Sequence, residues 1–252
     1  FDLAFDLGAD SIECDVRRSR DGDLLILHDG AVDRTTDGAG YLADLRTTEL
    51  RALDAGARWG LRQRIPTLEE TLSLVRARGG ALNLEIKGES VEQSIATARA
   101  VEPLLRALES DFRRRILVSS FEHPAIQLLK ARLPWLRIGA LYGSEWRCKD
   151  LITPALALAA EAIHPGVSLV TPDLIRRAHD AGLRVNVWTA NRPATIRQLL
   201  AWDVDGLFSD FPERVIIARR LMPQREDGIS HREHREHGGG GHRENMEVQN
   251  EE

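Results

Sequence analysis

Short apolar runs alternate with longer amphipathic stretches along most of the chain. In the longer stretches apolar residues recur three and four positions apart, which is typical of helices packed on one face. The clearest of these predicted helices span 68–76, 91–108, 124–132 and 172–181. The short runs predict strands at 11–16, 24–28, 82–86, 116–120, 137–141, 162–164, 184–188 and 206–209. Strands alternating with helices predict a parallel sheet covered by helices.

One pair of predicted strands breaks this alternation. The runs 11–16 and 24–28 are separated by RDGD at 20–23, and Asp-Gly between apolar runs is typical of a β-hairpin. We therefore expect the second run to pair antiparallel with the first. The seven remaining strands predict an α/β fold, a (β/α)8 TIM barrel that lacks its N-terminal strand. The alternative is a doubly wound open sheet, although no glycine-rich dinucleotide loop follows an early strand.

Two segments depart from the barrel pattern. Residues 30–66 show little periodicity and contain the turn-rich run TTDGAG at 35–40, which we interpret as an insertion over one end of the barrel. The predicted barrel domain therefore spans 1–220. Residues 221–252 are rich in His, Arg, Glu and Gly, a composition with too little apolar surface to order, so we expect a disordered tail.

Composition limits the class of protein. Hydrophobic residues make up 42% of the 252 positions, enough for one large core, and no apolar run approaches the length of a transmembrane helix. The net charge of −5 argues against a nucleic-acid partner, because a phosphate backbone needs a basic surface. Two cysteines form neither a disulfide framework nor a zinc site, so we expect a reducing compartment and a cytoplasmic location.

Carboxylates lie within two of the predicted strands. Glu13 and Asp15 are two positions apart and so share one face of their strand, and Glu85 and Lys87 share a face in the same way. In a barrel these side chains would point inward near the carboxyl ends of the strands, where barrel active sites form. Clustered carboxylates favour a hard cation such as Mg²⁺ or Ca²⁺ over zinc. The alternative is a solvated strand face with a surface ion pair between Glu85 and Lys87.

Two further residues are candidates for a site. His28 ends the run LLILH, where an imidazole can serve as an acid or base near neutral pH, or simply bond to a turn. Trp188 ends the run VNVW and could floor a substrate pocket or close the barrel mouth.

A series of short motifs runs along the chain from residue 1 to about residue 220. They are ADSIECDV (9–16), DG (21–22), LHD (27–29), RTTDG (34–38), IPTLEE (65–70), LEIK (84–87), SSF (119–121), AHDAGL (178–183), VWTAN (187–191) and DGLFSDFP (205–212). In order and spacing these motifs resemble those of glycerophosphodiester phosphodiesterases.

The resemblance implies a reaction and assigns roles by matching position. It implies metal-dependent hydrolysis of a small-molecule glycerophosphodiester to glycerol 3-phosphate and an alcohol, with one divalent cation, Mg²⁺ or Ca²⁺, as cofactor. Lys87 would contact the phosphate, and Trp188 would line the glycerol or alcohol pocket. His28 would be one of two catalytic histidines. The metal ligands would be Glu13, Asp15 and Glu85.

The chain departs from the family pattern at its beginning. The family starts with a strand that ends in His-Arg-Gly, whereas Phe1 follows where that strand would stand and is not a natural translation start. We therefore expect a fragment or processed product without the first catalytic histidine, slow or inactive by itself. Two alternatives remain open, a phospholipase D-like lipid phosphodiesterase of the same barrel group and an inactive phosphate-binding or scaffold domain.

Overall fold

Eight strands of the chain form one curled sheet in the computed structural model, which describes residues 1–222. Residues Phe1–Leu221 form one compact unit. The strands are β1 (Ser11–Arg18), β2 (Leu24–Ile26), β3 (Ala81–Ile86), β4 (Ile116–Ser120), β5 (Arg137–Tyr142), β6 (Ala162–Pro165), β7 (Arg184–Val187) and β8 (Gly206–Leu207). The predicted disordered tail lies, from residue 223 onward, outside the described residues.

Ten α-helices in the described residues cover this sheet and its ends. None of them combines the length and the apolar character that crossing a membrane requires. They are α1 (Asp2–Asp6), α2 (Thr47–Ala52), α3 (Leu68–Ala77), α4 (Val91–Ala107), α5 (Ser110–Arg113), α6 (His123–Arg132), α7 (Ile152–Ala157), α8 (Pro172–Asp180), α9 (Pro193–Ala201) and α10 (Pro212–Leu221).

The strand order is β2-β1-β3-β4-β5-β6-β7-β8. All neighbours from β1 through β3 to β8 are parallel, and β2 pairs antiparallel with the end of β1. The predicted hairpin is confirmed, with Gly22 at φ +100 in its turn. Because the order never reverses, the doubly wound alternative is wrong. The fold resembles a (β/α)8 barrel, although within residues 1–222 β8 and β1 do not pair.

Alternation along the strands separates the helix side of the sheet from its inner side. Ile12, Cys14 and Val16 of β1 are buried in the main core, which they share with helix residues such as Val75 and Val101. The residues between them therefore face the inside of the curl. This alternation brings polar side chains to the inner side near the carboxyl ends of the strands.

Local signals fix the ends of several helices. A capping box opens α3, since the Thr67 hydroxyl accepts from the Glu70 backbone N–H at 3.2 Å. In return a Glu70 carboxylate oxygen accepts from the Thr67 backbone N–H at 2.9 Å. Gly182 adopts φ +78 just beyond α8. These contacts satisfy backbone groups that helix ends leave free.

Residues 30–66 contain more order than their sequence pattern predicts. They include α2 and two short 3-10 turns, Leu42–Asp44 and Ala57–Trp59. The segment shares a second small hydrophobic core with residues of and just after β2, and the Ile26 backbone N–H donates to the Pro66 carbonyl at 2.9 Å. Because α2 buries only Leu50, its sequence carries no helical period. The core consists of Leu25, Leu27, Val32, Leu42, Leu50 and Ile65.

The inner packing of β5 against β6 gives a test of this fold. A Cβ added at Gly139 would stand 2.5 Å from His164 Nε2. Since His164 is fully buried, we expect Gly139→Ala to lower the free energy of unfolding by about 1–3 kcal/mol through overpacking. Urea denaturation measures this. In a His164→Ala background the same substitution should cost less, and an equal cost in both backgrounds would contradict the packing.

Candidate active site

Three carboxylates converge at the carboxyl ends of β1 and β3. The register of these parallel strands places Asp15 opposite Glu85, and Glu13 lies one inner position earlier on β1. Oxygen atoms from Glu13, Asp15 and Glu85 all lie within 4.8 Å of one another. Glu85 is buried, with 7% of its surface exposed, and the other two are half-buried. The solvated strand face considered above is therefore wrong for Glu85.

One lysine faces this acidic cluster. Lys87 Nζ lies 2.5 Å from Glu85 Oε1 and 3.2 Å from Asp15 Oδ1. Burial by itself would lower the pKa of Lys87, but the two carboxylates outweigh burial and its pKa is raised. One ammonium group does not balance three ionised carboxylates. A proton or a further cation is therefore needed to neutralise the cluster.

Glu13 is the carboxylate whose protonation relieves this repulsion. Burial, followed by the charges of Asp15 and Glu85, raises the pKa of Glu13 to about 8. Its Oε1 is buried and has no hydrogen-bond partner among the described residues. An unpaired acceptor beside two further carboxylates suits a hard divalent cation, which takes oxygen ligands and removes the repulsion. The three side chains could thus hold one metal ion.

An aromatic pair borders the cluster on one side. Lys87 Nζ lies 5.5 Å from the centre of the Phe121 ring. That ring meets the ring of Trp188 edge to face, with 5.4 Å between their centres. The Trp188 indole N–H donates to the His164 carbonyl at 2.8 Å, which fixes the orientation of the indole. Phe121 therefore lies between Lys87 and Trp188 and contacts both.

His28 lies just beyond β2, with 64% of its side chain exposed. Its Nδ1 is 2.7 Å from Asp29 Oδ1, and Arg34 binds both oxygens of that carboxylate. The hydrogen bond from Arg34, followed by the one from His28, holds the pKa of Asp29 well below its usual range. Arg17 donates to the His28 carbonyl at 2.8 and 3.0 Å. Both the ring and the backbone of His28 are thus held in place.

His28 also lies beside the strand that carries two of the carboxylates. The backbone N–H of Leu27 donates to the Asp15 carbonyl at 3.0 Å. The structure therefore places His28 and the cluster at the same end of the sheet.

Sequence reasoning did not single out four residues of this region. Phe121 follows directly after β4, and the motif SSF was the available signal for it. Asp29 and Arg34 stand in the motifs LHD and RTTDG, but nothing in the spacing shows that they meet. Arg17 lies on the strand position after Val16, with only its charge to mark it. Each of the four depends on contacts between separate segments.

Comparison with known proteins agrees with this geometry. A sequence profile for the "Glycerophosphoryl diester phosphodiesterase family" matches residues 1–214. The chain belongs to the glycerophosphodiester phosphodiesterase family. As a member of this family it is an enzyme, a phosphoric diester hydrolase that acts on a small-molecule substrate.

Individual relatives cover most of the chain. A glycerophosphodiester phosphodiesterase of Caldanaerobacter subterraneus is 35% identical over 86% of this chain and 88% of its own length. One from Bacillus altitudinis is 30% identical over 88% of this chain and 91% of its own. A phosphodiesterase of Oleispira antarctica, solved in complex with the product sn-glycerol-3-phosphate, superposes with a TM-score of 0.78 at 29% identity, covering 86% and 88% of the two chains.

The raised pKa of Glu13 predicts a pH-dependent loss of stability in metal-free protein. The folded chain keeps this proton up to about pH 8, whereas an unfolded Glu13 loses it near 4.5. Stability contributed by this group is therefore present below pH 4.5 and lost as pH rises towards 8. Glu13→Gln, which stays neutral, should raise the Tm of EDTA-treated protein at alkaline pH by about 3 °C or more.

Thermal unfolding of wild type and variant across this pH range makes the measurement. Glu69→Gln is the matched control, because Glu69 is exposed on α3 outside the cluster. If Glu13→Gln and the wild type lose stability in parallel as pH rises, ionisation of Glu13 is not the cause of the loss.

Proposed function

We propose that the chain hydrolyses glycerophosphodiesters to glycerol 3-phosphate and an alcohol, with one divalent cation held by Glu13, Asp15 and Glu85. The observation that carries this proposal is the convergence of these carboxylates and Lys87 at the carboxyl ends of neighbouring strands. The glycerol 3-phosphate bound to the Oleispira antarctica relative supports the choice of product. Oxygen-only ligands favour Mg²⁺ or Ca²⁺.

The charges of the cluster explain how it would receive a phosphodiester. When bound, the cation supplies Lewis-acid stabilisation of the negative charge on the phosphoryl oxygens. Lys87 now pairs with Glu85 and Asp15. Once those carboxylates serve as metal ligands, its ammonium group is available to a phosphoryl oxygen. It would then share the charge that develops during transfer.

His28 is the proposed general acid. Protonated His28 donates its Nδ1–H to Asp29 and gives its Nε2–H to the departing alkoxide as that P–O bond breaks. The nucleophile's oxygen would form the new bond to phosphorus and lose its proton to the other of the two histidines that the family resemblance implies. Arg34 keeps Asp29 ionised, so the carboxylate stabilises the imidazolium and fixes the ring. Asp29 and Arg34 act through His28 and are positioning residues.

Phe121 and Trp188 are proposed to form the apolar wall of the substrate pocket. Their edge-to-face pair lies beside Lys87, the residue assigned to the phosphate. Aromatic faces suit the carbon backbone of glycerol or of the alcohol, because these groups carry hydrogen atoms bound to carbon alongside their hydroxyls. The wall would orient the diester against the cation.

We also propose two refinements of the fold and one of location. The gap between β8 and β1 marks the place of one further parallel strand, since barrels of this class have eight and seven are parallel here. Residues 30–66, which pack with Leu25 and Leu27 in a second small core, are an insertion into that barrel. A cytoplasmic location remains a prediction supported by two free cysteines, Cys14 and Cys148.

The proposed activity predicts a metal requirement that resides in the cluster. Protein that includes the family's N-terminal His-Arg-Gly strand should release glycerol 3-phosphate and choline from glycerophosphocholine with Mg²⁺ or Ca²⁺ and should stop in EDTA. Asp15→Asn and Glu85→Gln should each reduce kcat/KM at least about a hundredfold, because each removes a charged ligand. Coupled enzymatic detection of glycerol 3-phosphate measures the rate.

Glu69→Gln again serves as the control and should keep the wild-type rate. Full turnover in EDTA would rule out the metal role. Cleavage of lysophosphatidylcholine without cleavage of glycerophosphocholine would favour the phospholipase D-like alternative. Binding of glycerol 3-phosphate with no turnover of either substrate would favour the non-catalytic alternative.

The assignment of His28 predicts a dependence on the leaving group. A general acid matters for a poor leaving group such as choline and hardly for p-nitrophenolate. Asp29→Asn and Arg34→Gln should therefore lower kcat about ten- to a hundredfold on glycerophosphocholine, but less than about threefold on the p-nitrophenyl ester of glycerol 3-phosphate. Arg192→Gln, an exposed arginine at the start of α9, is the control. An equal loss on both substrates would show that the pair only maintains the fold.

A further inference from the structure

Eight consecutive residues, 57–64, are exposed in the segment between α2 and α3. We call them the Trp59 loop. Trp59 exposes 66% of its surface and Leu61 exposes 60%. The 3-10 turn Ala57–Trp59 ends at Gly60, whose φ of +67 turns the chain between the two apolar side chains. A tryptophan this exposed differs from the single exposed leucines that are normal on protein surfaces.

The same loop is strongly basic. Arg58, Arg62 and Arg64 give it three positive charges and no negative one, in a chain with a net charge of −5. Asp54 accepts the backbone N–H groups of Gly56 and Gln63, and Glu70 is paired with Arg51. Arg62 and Arg64 act on these two carboxylates only through longer-range charge. Within residues 1–222 no carboxylate lies within ion-pair distance of a loop arginine, so the loop can offer its positive charge to an external anion.

We propose that the Trp59 loop docks the protein reversibly on membranes that carry anionic phospholipids. Tryptophan and leucine side chains can enter the interfacial region, where an indole ring is favoured, while the arginines contact lipid phosphates. Each arginine close to an anionic surface adds to the attraction, and salt screens it. The overall negative charge of the chain opposes such contact, so binding must come from this local concentration of positive charge.

The size of the loop favours a membrane over a protein partner. A stable protein interface buries about 1,200–2,000 Å² in total, more than eight residues can supply. A peripheral membrane contact, in contrast, needs only a few apolar anchors and basic side chains.

The loop is also attached to the segment that holds His28. An Arg58 guanidinium N–H donates to the Asp33 carbonyl at 3.2 Å, and the next residue, Arg34, binds Asp29 beside His28. Docking would therefore place the membrane close to the segment that carries this end of the site. The docking proposal does not rest on the proposed reaction, because binding is measured without turnover.

Co-sedimentation of the full chain with vesicles tests the proposal. Vesicles of phosphatidylcholine with about one-third phosphatidylglycerol should retain the protein at low salt, whereas pure phosphatidylcholine vesicles should not. Trp59→Ser should lower the partition coefficient of the protein onto anionic vesicles about tenfold. Arg58→Gln with Arg62→Gln and Arg64→Gln should weaken it about a hundredfold and remove most of its salt dependence.

Two matched controls separate the loop from general effects. Arg147→Gln with Arg192→Gln and Arg197→Gln removes three exposed arginines elsewhere, and Leu156→Ala removes an apolar side chain that is 49% exposed on α7. Both should bind vesicles as the wild type does. Circular dichroism and Tm should be unchanged in all variants.

Three results would overturn the proposal. One is no retention of the wild type by anionic vesicles at low salt. Another is an equal loss of binding in the control triple variant, which would indicate general electrostatic attraction. The third is unchanged vesicle binding in the loop variants together with an altered mass in light scattering without vesicles, which would show that the loop contacts another protein chain.

Discussion

The parallel register between β1 and β3 is the constraint on which the rest of the site depends. It sets Asp15 directly opposite Glu85 and leaves Glu13 one inner position away, so that three carboxylates meet in a half-buried space. Like charges on adjacent strands destabilise a sheet, and burial increases the cost. Lys87 offsets only part of it. A fold that keeps this arrangement needs either a proton, as the raised pKa of Glu13 indicates, or a further cation.

The acidic cluster and Asp29, at the same end of the sheet, have opposite electrostatic surroundings. Burial and like charges raise the pKa of Glu13, whereas hydrogen bonds from Arg34 and His28 keep the pKa of Asp29 low. Acids whose environments push their pKa values apart serve different tasks. The cluster on β1 and β3 suits a cation, and ionised Asp29 suits a positively charged imidazole.

Local sequence rules predicted the parts of this arrangement that local geometry determines. Side chains alternate between the two faces of a strand, and this alternation alone sets the faces on which Glu13 and Glu85 lie. The Asp-Gly pair predicts the hairpin that joins β1 to β2. Contacts between distant segments could not be predicted in this way. The sequence does not show that Arg34 turns back to Asp29, or that Phe121 stands between Lys87 and Trp188. The functional roles assigned to these residues stay predictions.

Anomalous diffraction from crystals grown with Mn²⁺ tests the central claim most directly, because manganese takes the oxygen ligands that suit Mg²⁺ and Ca²⁺. The account predicts one strong peak at about 2.0–2.6 Å from carboxylate oxygens of Glu13, Asp15 and Glu85 together, with Lys87 Nζ displaced from Glu85. A peak bound elsewhere, with Lys87 still paired to an otherwise empty cluster, would contradict it.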